Sequence, residues 1–132
     1  MSITLTGQDK TTLRTAAYGA ITLLSAASGS PSKIAANGSI ALTSATGPVG
    51  HVLADYPKGN DASGRSVAEI ADRVLPALTA AMALLKSQAP AEANNFRSTV
   101  LTAIEAATGH ARPTPVETDM IRKITEALDA TR

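Results

Sequence analysis

The sequence predicts an all-α fold, a compact bundle of about five helices, and three observations carry that reading. Alanine is the commonest residue and large rings are nearly absent, with one Phe, two Tyr and no Trp. Alanine has the best helix propensity and a small side chain, so helices built from it approach closely. Apolar residues recur at spacings of three and four through most of the chain. Residues that cap helices stand where those stripes begin and end.

The first helix spans about 7–28. Thr6-Gly7-Gln8-Asp9 reads as a capping box with Asp in the place of Glu. Its stripe is Leu13, Ala16, Ala17, Ala20, Leu24 and Ala27, and Gly29 follows at a C′ position. Ser30-Pro31 starts a second helix at once, over about 31–54. Ile34, Gly38, Ala41, Leu42, Ala45, Val49, Val52 and Leu53 keep helical spacing through Gly47-Pro48. The economical expectation is one helix kinked at Pro48, which cannot donate to the Ser44 carbonyl. The alternative is a break at Gly47 and a short separate helix from Pro48. Tyr56 to Gly64 is loop by composition.

The third helix, about 66–88, opens on Ser66-Val67-Ala68-Glu69 and runs Val67, Ile70, Ala71, Val74, Leu78, Ala81, Leu85, with an expected kink at Pro76. It ends before Pro90, which pushes Ala89 out of helical angles. The fourth, about 90–108, turns Ala93, Phe96, Val100, Ala103, Ile104 and Ala107 inward, and Gly109 closes it. Thr114-Pro115-Val116-Glu117 combines an N-cap, an N1 proline and a capping-box glutamate. It opens a fifth helix, about 115–131, that buries Val116, Met120, Ile121, Ile124 and Leu128. Asp119 with Lys123 and Arg122 with Glu126 form an outer i,i+4 ladder.

At 132 residues the chain reads as a single domain. Its net charge of +1 and lack of a basic stripe or stacking aromatics argue against nucleic acid as a partner. The absence of cysteine removes disulfides, thiolate catalysis and cysteine-held zinc or iron–sulfur centres. No basic region followed by an apolar run marks the N-terminus and no stretch reads as a membrane span, so the expectation is a cytoplasmic protein.

One stretch is unusual. From Thr15 to Ala54 the only formally charged residue is Lys33, whereas a surface helix normally carries a charged outer face. Three explanations compete. The first two helices could be a central hairpin covered by the others. Their small-residue surface could instead meet a partner, most simply a second copy, with Gly19, Gly38, Ala41, Ala45 and Gly50 allowing close approach. Membrane insertion is the third, and Asn37, Ser39, Thr43, Ser44 and Thr46 interrupt the apolar run against it.

Chemistry finds little purchase. His51 and Asp55 share a helical face at i,i+4, but two ligands make no metal site, and the expectation is no metal and no cofactor. His110 follows Gly109 and reads as a cap of the fourth helix. Ser63-Gly64-Arg65-Ser66 could meet an anion ahead of the third helix, although it lacks the pattern of a phosphate loop. No serine stands in a nucleophile motif and no carboxylate pair suggests itself, so an enzyme is not expected. If the kinks at Pro48 and Pro76 face each other, they would leave an apolar pocket edged by Tyr18, Ser44 and His51. The leading expectation is a non-enzymatic bundle acting through protein contacts, self-association above all, and the alternative is a small-ligand binder at that pocket.

Overall fold

A computed structural model describes residues 4–28, 31–54, 66–109 and 114–130. The chain is all helical over these residues: α1 Gly7–Ala27, α2 Pro31–Thr43, α3 Gly47–Leu53, α4 Val67–Gln88, α5 Pro90–Thr108 and α6 Pro115–Asp129. The all-α bundle stands as the sequence predicts, with six helices because the second predicted helix is divided.

The division follows from backbone geometry. Gly47 has φ +77°, in the left-handed region where a side chain is strained, and no α-helix continues through such a residue. The chain leaves α2 in a tightened turn, Ser44 N–H donating to Ala41 O and Ala45 N–H to Leu42 O, both at 3.2 Å. Pro48 then stands in the first turn of α3, where a missing N–H costs nothing. The spacing of apolar residues persists across the break because α3 turns the same stripe inward, with Val49, Val52 and Leu53 buried. Pro76, by contrast, lies inside an unbroken α4. The Asp72 carbonyl it releases lies on the exposed side, where water can satisfy it.

The caps form as their residues dictate. Thr6 Oγ1 accepts from Asp9 N–H while Asp9 Oδ2 accepts from Thr6 N–H, both at 3.0 Å. Thr114 and Glu117 make the same reciprocal pair at 3.2 and 2.9 Å. Ser66 caps α4 through Glu69 N–H. Between α4 and α5 a single extended residue, Ala89, turns the chain. Gly109 follows α5 as its C-cap, whereas Gly29, His110 and the 56–64 loop lie outside the described residues.

The predicted stripes of α1, α4 and α5 form the core, with Leu13, Ala16, Ala17, Leu78, Leu85, Phe96 and Val100 among the fully enclosed side chains. One inward assignment is corrected. Val116 is 57% exposed, and the buried line of α6 is Glu117, Met120, Ile124 and Leu128, with Ile121 at its edge. Val116 lies about 100° around the helix from Glu117, past the edge of that line. Glu117 holds the inner place because its carboxylate folds back onto Thr114 N–H.

α1 packs against every other helix, and so does α5. Among the described residues α2 touches only α1, α3 and α5. The outer side of α6 carries the predicted ladder, Arg122 to Glu126 at 3.0 Å and Lys123 to Asp119 at 3.3 Å, and Arg122 also reaches Asp119. These hydrogen bonds, that from Arg122 foremost, hold the Asp119 carboxyl below its ordinary range. A two-pronged contact of Arg97 with Asp129, at 2.7 and 3.2 Å, ties α5 to α6. No helix among the described residues is long and apolar enough to cross a membrane.

Candidate functional site

The uncharged stretch separates into two parts with different explanations. In α1, residues Ala16 to Ile21, Leu23 and Leu24 are buried. All five other helices pack against α1, so the stretch of it after Arg14 is uncharged because most of it is core. α2 is peripheral. It buries Ile34, Gly38 and Leu42 and exposes Ala35, Ala36, Ile40 and Thr43, and Ser44 just after it is exposed as well. That outer face should carry charges and has only Lys33, near its start.

Across α2 lies α5, running in the opposite direction so that the end of α2 meets the start of α5. Between them is an open depression of about 330 Å³. One wall is Ala41 of α2 with Ser44, Ala45 and Thr46 of the turn that follows it, and the α5 wall is Asn95, Ser98, Thr99 and Thr102. No charged side chain lines it. Asn95 secures the rim by donating to Thr46 O at 3.1 Å. The charges of α5 are engaged elsewhere or stand at the ends: Glu92 accepts from Val49 N–H at 3.4 Å, Arg97 turns to Asp129, and Glu105 lies a turn beyond Thr102. Beside the depression Ile40 is 64% exposed, and it and Val116 are the large apolar side chains that stand out to solvent among the described residues.

The glycines expected at an interface are consumed inside the chain. A Cβ on Gly19 would lie 2.7 Å from Val74 Cγ2, and one on Gly38 would lie 2.7 Å from Ile21 Cγ2. Gly50 is buried against the Ala45 carbonyl in the turn between α2 and α3. Their close approaches lie within the chain, between α1 and α4, between α1 and α2, and between α3 and the turn that precedes it. Of that set, Ala41 and Ala45 alone border the surface, at the depression.

Of the residues expected to edge a pocket, Tyr18 is buried whereas Ser44 and His51 are exposed. The two prolines lie on α3 and α4, which make no contact with each other among the described residues. Tyr18 is buried and its hydroxyl donates to Leu53 O at 2.5 Å. Ser44 is exposed at the depression and donates to Ile40 O at 2.9 Å, and His51 is exposed in the last turn of α3. Tyr18 is instead half of a clamp. Arg14, one turn earlier on α1, donates to Val52 O at 3.0 Å, so two α1 side chains satisfy carbonyls that the end of α3 leaves open. Replacing Tyr18 by Phe should cost about 1–3 kcal/mol, because the buried Leu53 carbonyl then loses this donor. Urea denaturation followed by circular dichroism measures it.

Of the anion motif, Ser63, Gly64 and Arg65 lie outside the described residues, as does Asp55, the fourth residue after His51 in the sequence. Ser66 is spent as the cap of α4. Among the described residues no three His, Asp or Glu side chains gather as metal ligands. The exposed α2 face and its depression were within reach of sequence reasoning only as a lack of charge, since nothing local distinguishes α2 from α1. Comparison with protein-family models, with curated proteins and with solved structures found no match.

Proposed function

We propose that this protein works by contact rather than by catalysis, as a helical bundle that self-associates through the face shared by α2 and α5. The observation that carries the reading is the outer side of α2: a peripheral helix whose exposed residues from Ala35 to Thr46 include no charge and do include Ile40 at 64% exposure. A solvated helix gains solubility from a charged outer face, and a face without one is better suited to burial against a partner.

A second copy suits this face for an electrostatic reason. In a two-fold dimer each patch meets itself, so a charge close to the axis meets its own copy. This patch has none near its centre. Its Ser and Thr hydroxyls each donate and accept, and its Asn amides do both, so the patch can hydrogen-bond to its own image. The depression favours a protein over a small molecule, because it is open and would leave much of a ligand in water, whereas small-molecule sites enclose most of theirs.

Sedimentation velocity over a range of concentrations tests the reading. The native chain is expected to show a reversible monomer–dimer equilibrium. The double variant Ser44→Glu/Ser98→Glu, which places carboxylates on two exposed positions, is expected to be monomeric with an unchanged helical spectrum. A native chain that stays monomeric up to about 1 mM would overturn the proposal.

A further inference from the structure

We infer that, in the dimer proposed above and resting on that reading, Ile40 of each protomer seats in the α2/α5 depression of its partner. Three observations on this face lead there. Ile40 projects from α2 at 64% exposure, although an isoleucine in solvent contributes nothing to a helix that a polar residue would not. The depression opens beside it, lined by Ala41 and Ala45 on one side and by Ser98 and Thr102 on the other, with room for an apolar side chain. No charged group lines it that would be stranded when water leaves.

The relation between projection and hollow selects the second copy as the occupant. Ile40 and Ser44 are four residues apart, about 6 Å along the helix. A two-fold axis crossing α2 between them carries each Ile40 onto the other protomer's hollow and sets the two α2 helices antiparallel. An unrelated partner would require a projection or a hollow, whereas a two-fold contact requires both on one face, side by side. Charge agrees with this placement. Lys33 lies seven residues from Ile40, about 10 Å along α2, so it stays at the rim. The patch sets the strength as well. It is about 20 Å long, the length of α2, and two helices wide, which places it among the small interfaces of weak, reversible association.

The test compares the native chain with Ile40→Ala, which removes the projection, and Thr102→Gln, which fills the hollow with a longer neutral side chain. Both positions are exposed, so the bundle stays folded, and circular dichroism checks that it does. Sedimentation equilibrium is expected to show each variant dimerising about a hundredfold more weakly than the native chain, since each loses both seats. An equimolar mixture of the two variants is expected to associate more tightly than either alone, because a mixed dimer keeps one intact seat. A native dimer that is broken by Ser44→Glu/Ser98→Glu yet unaffected by Ile40→Ala would overturn the seating and leave the self-association reading in place. A mixture no tighter than its components would overturn the reciprocal arrangement. A native chain that never dimerises would remove both proposals together.

Discussion

Replacing Phe96 by alanine is expected to lower the free energy of unfolding by about 3–5 kcal/mol, the largest single effect in this chain. Phe96 is the chain's one phenylalanine and is fully enclosed on α5, a helix that packs against all five others. Most of its neighbours in the core are aliphatic, and many are alanines, whose side chains have no rotamers with which to collapse into the space a lost ring leaves. The residual cavity should therefore stay large, and the cost of such a substitution rises with that volume. A domain of this size is stable by only about 5–15 kcal/mol, so the variant loses a substantial part of its margin. Urea denaturation gives the number. A loss below about 1 kcal/mol would mean that the core closes around the gap far better than its composition allows.

The second large effect concerns the glycines. A Cβ at Gly50 would overlap the carbonyl of Ala45, which is backbone and cannot rotate aside. Gly50→Ala should therefore cost about 3 kcal/mol and loosen α3, read as a lower urea midpoint and faster hydrogen exchange at the amides of α3. Gly19→Ala should cost less, about 1–2 kcal/mol, because helix propensity offsets part of the crowding against Val74. That crowding is specific and can be relieved. In a Val74→Ala background, where both offending methyl groups are gone, Gly19→Ala should be neutral or stabilising, and the double-mutant cycle measures the coupling. Gly7→Ala is the control: a Cβ there meets nothing within 4 Å, so the substitution should stabilise the chain by up to about 1 kcal/mol. If Gly50→Ala proved as harmless as Gly7→Ala, the turn between α2 and α3 would have to differ from the one described.

These expectations bear on the site. The same glycines read from sequence as devices for approach between molecules, and the fold uses them for approach within one. A small residue in a helix permits close contact without naming the partner, and periodicity carries no information on whether the facing helix belongs to the same chain. Tyr18 is a similar case. A tyrosine on an apolar stripe needs a partner for its hydroxyl, but that the partner is the Leu53 carbonyl at the end of α3 depends on how α3 folds back over α1.

The all-α class, the starts of α1, α4 and α6, and the inward lines of α1, α4 and α5 were determined by the sequence alone. These are local matters: a cap hydroxyl meets an amide three residues away, and an apolar period declares which side of a helix must leave water. Tertiary structure decided the rest. It set Gly47 in the left-handed region and split one predicted helix in two, since spacing counts residues and is blind to a turn that keeps the stripe in phase. It also enclosed α1 among five helices while leaving α2 at the edge, so that one run of uncharged residues became core in its first half and an open face in its second. A missing charge has the same appearance in sequence whether a neighbouring helix or a second molecule takes the place of water, and only the packing of the whole chain distinguishes the two.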